Sequence, residues 1–415
     1  MFLKVFSVCC KYVCVRTNCL KCMKYPDHEK ICCCALNRIF GFEPSIAHSL
    51  VDNLGSASAV FSLKRDELQE ILGPHSKFLS QISEAELERS LKELKGLEND
   101  EYDFITLYGP EYPDLLKECP DAPLGLYVRS HSTADEIFRN KDMISVVGTR
   151  DISLYGREWC IKLVSAIAEA GISPVIVSGL ALGIDITAHL CALECGLPTI
   201  GVMATGIDKV YPFRHTEYAR RITEAQGGAL VTDYPCGTAP VAVNFLRRNR
   251  IIAGMSKATI LVESKIRGGG MMTANLAFSY DRDVFALPGR IDDLRSGGCN
   301  KLIQAKIAEP ITDCISLLRS LGMAGGLKEA KVPLTDRIET FYSGKFPAER
   351  ISSIVEIINL IAGNRGITPD EMCARTNRPY TEIAALTCLL ESDGFICTDL
   401  LQRCSLNARP ARKEG

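Results

Sequence analysis

The most informative residues of this chain are glycines that follow short apolar runs in its middle part. Gly148 follows one run together with Thr149 and Arg150, and Gly179 follows a second run. A third run is followed by three consecutive glycines, Gly268, Gly269 and Gly270. Glycine lets the backbone approach a ligand closely, and the helix after such a loop directs free N–H groups and its positive dipole end at an anion. Three such loops predict a site for several phosphates.

A second group of candidate residues lies in the segment NFLRRNRIIAGMS, residues 244–256. Arg247, Arg248 and Arg250 carry forked guanidinium groups that suit phosphate oxygens, and Phe245 beside Asn244 suits an unstacked base. At helical spacing Arg247 and Arg250 share a face, while Arg248 points elsewhere. We therefore expect at least one of the three arginines to be structural, paired with an acid rather than with a ligand.

The sequence lacks the motifs of nucleotide-dependent enzymes. No Gly-x-Gly-x-x-Gly follows the first apolar run and no Gly-x-x-x-x-Gly-Lys-[Ser/Thr] occurs, so neither a nicotinamide cofactor nor ATP hydrolysis is indicated. The spacing of His189 and His215 allows no nucleophile–histidine–acid set. We interpret His189 as a packing or hydrogen-bonding residue. We interpret Glu263, which ends an apolar run, as a residue that orients a loop, with binding of a ribose as the alternative.

The elements that must position these residues are short apolar runs that alternate with helix-patterned segments. The runs cover residues 143–147, 174–177, 199–203, 229–232, 259–262 and 284–287. They are rich in Val and Ile and apolar on both faces, as buried parallel strands are. This alternation predicts an α/β fold with a Rossmann-like, doubly wound and mostly parallel sheet. In such a sheet ligands bind in the crevice at the carboxyl ends of the strands, where the loops lie.

The flanking regions predict separate units. Residues 1–30 form a cysteine-rich leader, disordered or upstream of the true start of the chain, and residues 31–94 are typical of a small helical domain. The sheet domain covers residues 103–318, a linker follows over 319–349, and residues 350–408 suggest a winged helix. In the last unit Thr368 is expected to cap a helix that has Pro369 at its first position.

Composition narrows the function classes. The 415 residues carry a formal net charge of −2, and only residues 141–312 are mildly basic, so any nucleic-acid site must be local. No apolar run approaches the ~20 residues that a membrane helix needs. The chain has 19 cysteines, and most of those outside the leader stand singly in apolar segments, as reduced thiols of a cytosolic protein do. Cys19, Cys22, His28 and Cys32 could hold zinc, but their spacing fits no standard zinc module, so no metal is expected.

Several long motifs together resemble the DNA-processing protein A (DprA/Smf) family. The motifs VGTR, SGLALGIDITAH, NFLRRNRIIAGMS, TANLAFSYDRDVFALPGR and GGCNKLI occur in the family's order and spacing across residues 105–312. Residues 31–94 look like the family's sterile-alpha-motif-like domain, and residues 350–406 look like its winged helix. The resemblance implies a cytoplasmic, homodimeric protein without catalytic activity or cofactor. Such a protein binds and protects incoming single-stranded DNA and loads a RecA-type recombinase during natural transformation.

The resemblance also implies roles for individual residues. By motif position, phosphate would be contacted by Gly148, Thr149, Arg150, Gly179, Gly268, Gly269 and Gly270. Lys209 would add positive charge, and Asn244 and Phe245 would meet a base. The chain departs from the family at Leu182, where the family commonly has Arg, and at residues 268–270, where it often has Ser-Gly-Ser. Both departures remove side-chain contacts to phosphate. Because the segment at Gly41 lacks a Gly-x-Gly hairpin, no DNA binding is assigned to the N-terminal helices.

Two other function classes compete with strand binding. The first is a nucleotide-processing enzyme on the same kind of sheet, such as a phosphoribohydrolase. That family has Pro-Gly-Gly-x-Gly-Thr-x-x-Glu, whereas the present loop reads GGGMMTANL and lacks the glutamate. The second is an interaction scaffold whose winged helix binds a protein or duplex DNA. The charge-neutral C-terminal region argues against duplex binding there.

Overall fold

The computed structural model of the chain describes residues 28–97, 101–139, 141–323, 334–364, 366–399 and 401–407. Most of the predicted leader, including Cys19 and Cys22, lies outside these ranges, as do residues 324–333 of the predicted linker. None of the helices within the described ranges is long and apolar enough to cross a membrane.

Five helices form the N-terminal helical segment, which covers residues 28–97. They are α1 (His28–Phe40), α2 (Pro44–Leu54), α3 (Ala57–Ser62), α4 (Arg65–Leu72) and α5 (Glu84–Gly96). Gly55 follows α2 in the left-handed conformation, at φ 84°, and its N–H donates to the carbonyl of Val51, which ends that helix. Buried apolar side chains of α1 and α5 face the strands that follow in the chain.

A nine-stranded sheet occupies the middle of the chain. Its strands are β1 (Tyr102–Thr106), β2 (Gly125–Arg129), β3 (Met143–Val147), β4 (Val175–Ser178), β5 (Thr199–Val202), β6 (Ala229–Thr232), β7 (Ala258–Leu261), β8 (Asp283–Ala286) and β9 (Glu309–Pro310). The helices between and after them are α6 (Asp114–Lys117), α7 (Ala134–Phe138), α8 (Leu154–Glu169), α9 (Ile184–Glu194), α10 (Thr216–Glu224), α11 (Ala242–Met255), α12 (Gly269–Ser279), α13 (Gly297–Gln304) and α14 (Cys314–Ser320). A short 3-10 helix, Phe213–His215, precedes α10.

The strand order is β1-β2-β6-β5-β4-β3-β7-β8-β9, and the pairs from β6 through β9 are parallel. Strands β1 and β2 add to the β6 side in antiparallel fashion. From β3 the chain adds β4, β5 and β6 on one side of the sheet. It then returns to the middle and adds β7, β8 and β9 on the other side of β3. This reversal between β3 and β7 is a topological switch point, where sheets of this kind bind ligands. The prediction of a large, mostly parallel α/β sheet is confirmed.

The two faces of the sheet are buried by different helices because successive strand side chains point to opposite sides. On β4, Val175 and Val177 join the core that includes Ile251 of α11. Ile176, between them in sequence, joins the core on the other face, which includes Leu163 of α8. Helices on both faces make the sheet doubly wound and leave its carboxyl edge as the place where the connecting loops gather.

The N-terminal helical segment shares a hydrophobic core with the sheet. Cys34 of α1 and Leu94 of α5 pack in one cluster with Phe104 and Tyr127, which lie on β1 and β2. Polar contacts reinforce this packing: the Asn37 side-chain amide donates to the carbonyl of Asp233 at 2.9 Å. The sequence pattern predicts a small flanking domain, but these helices cover the β1–β2 end of the sheet and bury its large side chains.

The C-terminal segment is built around a core of its own. It contains α15 (Leu334–Tyr342), α16 (Ala348–Gly363), α17 (Pro369–Thr376), α18 (Tyr380–Ser392) and the antiparallel pair β10 (Ile396–Thr398) and β11 (Cys404–Leu406). Its core cluster draws on residues from Ile338 to Cys404 and on none of the sheet. The predicted cap is confirmed, since the Thr368 hydroxyl accepts from the Glu371 N–H and Pro369 opens α17.

Candidate nucleic-acid interface

Three glycine-containing loops meet at the carboxyl edge of the sheet, as the sequence predicts. The loop after β3 lies against the loop after β4, where the Ile184 N–H donates to the carbonyl of Thr149 at 3.1 Å. On its other side it lies against the start of α12, because a Cβ atom placed on Gly270 would be 3.2 Å from Gly148 Cα. Gly183, at φ 79°, passes so close to Thr149 that no side chain would fit. Much of the need for glycine here comes from contact between the loops.

Gly269 has a different environment from the other loop glycines. A Cβ atom placed there would meet nothing within 4 Å, and the residue is exposed at the first position of α12. Gly268 caps this eleven-residue helix without a side-chain hydrogen bond, so no side chain of the cap residue occupies the backbone N–H groups of the first turn. Lys265 and Arg267 are exposed in the same loop. Both basic residues stand directly before the three glycines in the sequence, but the motif predicts contacts from the glycines alone.

Arg150 and two aromatic side chains form a cluster at this edge, which we call the rim cluster: Arg150, Tyr211 and Phe245. The guanidinium carbon of exposed Arg150 lies 5.2 Å from the centre of the Phe245 ring, and the Tyr211 ring lies 5.4 Å from that of Phe245. Tyr211 is 47% exposed and Phe213, two residues later, is 84% exposed. Arg150 and Phe245 are predicted from the sequence motifs, whereas the two exposed aromatics are not, although both follow Lys209 closely in the sequence.

Arg150 makes no ion pair with any described carboxylate. Asp151, its neighbour in sequence, binds Arg295 instead, at 3.2 Å. Asp185 is buried beneath the loop, where burial raises the pKa of its carboxyl group although nearby Arg248 lowers it. The Arg150 guanidinium is therefore a cation stacked on an aromatic ring and open to an anion from solvent.

Lys209 and Asn244 both bind backbone carbonyls of the protein, and Asn244 is in addition buried. The Lys209 side chain is exposed, and its ammonium donates to the carbonyl of Gly237 at 2.7 Å. Asn244 is buried, and its amide lies 3.5 Å from the carbonyl of Ala239. In this conformation Asn244 does not reach a base, because its side-chain amide faces the protein interior. Phe245 remains the base-facing candidate of this pair.

Arg248 supports the floor of the site from inside the protein. Its side chain is only 3% exposed and donates to the carbonyls of Gly179, at 2.7 Å, and of Val202. Burial lowers its pKa to about 10, so the group stays protonated at neutral pH. The prediction that Arg248 contacts phosphate is therefore wrong, because its buried guanidinium binds backbone carbonyls. Arg248 instead positions the Gly179 loop.

Arg250 is structural as well. It is 5% exposed, pairs with the Asp233 carboxylate at 2.5 Å and donates to the carbonyl of Asp121 at 2.6 Å. The Arg250 guanidinium is therefore not available to a ligand, and the prediction that it contacts phosphate is wrong. The expectation that at least one arginine of this helix would be structural is confirmed.

Arg247 joins the sheet to the N-terminal helical segment. One guanidinium nitrogen donates to the carbonyl of Phe42 at 3.0 Å and another to that of Gly41. The guanidinium carbon lies 4.1 Å from the centre of the Phe42 ring, which is 58% exposed. Arg247 itself is half-buried, so it lies at the surface beside an exposed aromatic ring.

The remaining titratable candidates serve the structure. Glu263 accepts from the Ser153 N–H at 3.0 Å and from the Ser153 hydroxyl, which confirms that it orients the loop before α8. The Thr199 hydroxyl donates to the carbonyl of Ile176, so His189 Nδ1 must donate to Thr199 Oγ1, 2.7 Å away. Burial lowers the His189 pKa to about 3 and keeps the ring neutral. The interpretation of His189 as a hydrogen-bonding residue is confirmed.

Comparison with known proteins places these features in context. The family model described as DNA recombination-mediator protein A matches residues 103–322. Protein Smf of Synechocystis sp. is 38% identical over 219 residues, which is 53% of this chain and 54% of that protein. The putative DNA processing protein DprA of Mycobacterium tuberculosis strain H37Rv is 32% identical over 298 residues, 69% of this chain and 74% of that protein.

One solved structure supports the same relationship. The X-ray structure of DNA processing protein A from Streptococcus pneumoniae has a TM-score of 0.58 and 29% sequence identity. The similarity covers 71% of this chain and 98% of that one. Protein Smf of Escherichia coli K12 is 39% identical over 208 residues, 54% of its length. The chain thus spans about half the length of the first curated relatives it matches.

Proposed function

Because this chain belongs to the DNA recombination-mediator protein A family, we propose that it binds single-stranded DNA at the carboxyl edge of its sheet. The observation that carries the proposal is the rim cluster, in which the Arg150 guanidinium stacks on Phe245 next to the Tyr211 ring. In this function the protein protects incoming DNA and loads a RecA-type recombinase in natural transformation.

The chemistry of the rim favours a single strand over a duplex. Bases of an unpaired strand can stack on aromatic side chains, whereas those of a duplex are already stacked on each other. The first turn of α12 and the Arg150 side chain supply donors for the phosphates between these bases. Aromatic rings and anion-binding groups together match the alternation of base and phosphate along one strand.

We infer that the protein acts by binding and not by catalysis. This inference is supported by two titratable groups of the sheet domain that are already bound within the protein. Glu263 accepts hydrogen bonds from Ser153, and neutral His189 binds Thr199 inside the core. The alternative, a nucleotide-processing enzyme on the same sheet, would require one of these groups to reach a substrate at the rim. Release of base from AMP is the assay that would support the alternative.

The C-terminal segment is proposed to be a winged helix that does not bind duplex DNA. Helix α18, which would lie in the position of a recognition helix, contains Glu382 and Glu391 and no lysine or arginine. The nearest arginine, Arg378, is neutralised by Glu356 at 2.8 Å and by Glu382. A duplex-binding helix needs free cations for phosphates. The segment therefore suits a protein partner better than a DNA duplex.

Homodimerisation through the sheet domain is a further part of the proposal. It rests on family membership, since the described residues do not mark an interface. Static light scattering at micromolar concentration should give twice the mass of the 45.5 kDa chain. A mass of one chain under these conditions would contradict this part of the proposal and leave strand binding untouched.

The central experiment compares affinity for single-stranded and duplex DNA of the same sequence at two salt concentrations. Single strands should bind more tightly at both, with affinity that falls as salt rises because counterions are released from the phosphates. A fluorescence anisotropy titration measures both constants. Equal affinity for the two forms, or base release from AMP without strand binding, would overturn the proposed function.

A further inference from the structure

The N-terminal helical segment presents an exposed aromatic ring next to the proposed binding edge. Phe42 follows α1, and the guanidinium of Arg247 lies over its ring at 4.1 Å. Two hydrogen bonds to the carbonyls of Gly41 and Phe42 fix the guanidinium in this position. More than half of the Phe42 surface still faces solvent. An aromatic ring and a guanidinium held in contact form a surface on which an unstacked base can lie.

The Arg247 charge is not compensated by an acid. Its hydrogen bonds to Gly41 and Phe42 go to backbone carbonyls, and no carboxylate of the described residues forms an ion pair with it. Glu43, the acid next to Phe42, is paired with Lys77 at 2.5 Å. The position therefore combines an apolar ring with a net positive charge, which are the two features that a strand of bases and phosphates requires.

The surface of α11 connects this position with the rim cluster. Successive residues of a helix are about 100° apart, so Phe245 and Arg247 lie on opposite flanks of an arc centred on Leu246. Leu246 and Val243 within this arc are exposed. A strand that leaves Phe245 can pass over this apolar arc and reach Phe42 without meeting an acidic side chain of the helix.

We propose that Phe42, Leu246 and Arg247 form a second subsite for single-stranded DNA, which extends the path from the sheet onto the N-terminal helical segment. The inference rests on the proposed function and adds to it a region to which the sequence motifs assign no DNA contact. The competing explanation is that Arg247 only clamps the helical segment to the sheet. A clamp alone would be expected to bury the Phe42 ring rather than leave it open.

The test uses the full chain and two oligothymidylates of about 5 and about 15 nucleotides, which span the range of site sizes of single-strand binding proteins. The variant Phe42→Ala should weaken binding of the longer strand about tenfold, the loss expected for one stacked base. Binding of the shorter strand, which the rim alone can hold, should stay unchanged. Phe42→Tyr keeps an aromatic ring and should bind both strands like the natural chain.

A matched control is Phe278→Ala. Phe278 is 53% exposed, and it lies near the end of α12 that is remote from the rim, because α12 starts at the rim and runs away from it. This variant should bind both strands normally. A strand carrying 5-iodouracil along its length gives a second readout, since photo-cross-linking should place one adduct on Phe42.

The outcomes separate this inference from the proposed function. If the natural chain binds neither strand, the proposed function fails and the subsite fails with it. If the natural chain binds both strands and Phe42→Ala leaves the affinity for the longer one unchanged, only the subsite is refuted. Equal losses for both strands with a lowered melting temperature would show a clamp, and cross-links confined to residues 101–323 would also overturn the subsite.

Discussion

At the scale of single residues, three neighbouring arginines of α11 have three different environments. Arg248 binds backbone carbonyls beneath the rim, Arg250 pairs with Asp233, and Arg247 stacks on Phe42. Helical spacing predicts which of them share a direction, but it does not predict what lies in that direction. Their partners lie in the loop after β4 and on β5, in the loop after β6, and in the turn after α1, and these distant segments are brought together only by the fold.

Arg150→Ala tests the phosphate role at the rim. Loss of a charge-assisted contact should weaken single-strand binding by about 1.5–3 kcal/mol, roughly ten- to a hundredfold. The salt dependence should fall by about 0.7 in slope, the increment for one phosphate of a single strand. Stability should be kept, because Arg150 is exposed and holds no described carboxylate. Anisotropy titrations at several salt concentrations measure both changes.

The control for this variant is Arg139→Ala, which removes an exposed arginine far from the rim loops. Its side chain is 65% exposed and pairs with Asp135 of α7, the short helix that Arg139 follows. The two variants change the net charge equally, so a general effect of charge would appear in both. Unchanged affinity and slope in Arg150→Ala would contradict the assignment of the rim as the DNA site.

Arg250→Ala should act on stability and not on binding by the folded protein. The change leaves the Asp233 carboxylate buried without a cation, and one of its oxygens already lacks a hydrogen bond. Breaking a buried pair in this way costs about 3–5 kcal/mol of unfolding free energy. Urea unfolding monitored by circular dichroism measures the loss.

A double variant shows whether the cost comes from the unpaired charge. Arg250→Met combined with Asp233→Leu removes both charges and should recover part of the stability. If Arg250→Ala lost less than about 1 kcal/mol, as an exposed ion pair does, the buried pair would not be a structural requirement.

At the scale of elements, the six buried parallel strands could be predicted from sequence, and three others could not. Runs such as residues 143–147 are apolar on both faces and therefore visible in the pattern. Strand β9 has only two residues, both exposed, and one is Pro310, so no pattern marks it. Strands β1 and β2 lie in a proline-containing region; β1 pairs with β2 and β2 with β6, and their large side chains are covered by the N-terminal helices, which no local pattern reveals.

Gly269→Ala probes the first turn of α12. Because a methyl group there meets no protein atom and alanine is the better helix former, stability should stay equal or rise by up to about 1 kcal/mol. If phosphates rest on the N–H groups of this turn, the methyl group should lower single-strand affinity about three- to tenfold, as for one weakened hydrogen bond. Thermal melts and anisotropy measure the two effects.

The matched variant for this experiment is Gly363→Ala, at the end of α16. A Cβ atom at Gly363 also meets nothing within 4 Å, and the residue lies in the C-terminal segment. It should change neither affinity nor fold. Full affinity in Gly269→Ala would argue that the strand does not approach α12.

At the scale of the whole molecule, the two ends of the chain relate differently to the sheet. The N-terminal helices share a core with Phe104 and Tyr127, whereas the C-terminal segment has a core without sheet residues. A chain that ends at residue 323 should therefore melt and bind single strands like the full chain. Removal of residues 28–97 should expose two buried aromatic side chains and lower the melting temperature or the solubility.

Differential scanning calorimetry distinguishes these outcomes. Normal melting after removal of residues 28–97 would show that the shared core contributes little to stability. A chain ending at residue 323 that no longer binds would place part of the site in the C-terminal segment. The sequence predicts helices at both ends, but it does not indicate which of them the sheet depends on, because a shared core is a property of tertiary contacts.

The hydrogen bonds of Arg248 to the Gly179 and Val202 carbonyls have a consequence for the thermodynamics of recognition. They tie the loop after β4 to the interior, just as Glu263 ties the loop before α8 through Ser153. A receptor surface that is preorganised in this way loses little conformational entropy when it captures its ligand. The ordering cost then falls on the flexible polynucleotide, so affinity should depend mainly on how readily each strand unstacks and straightens.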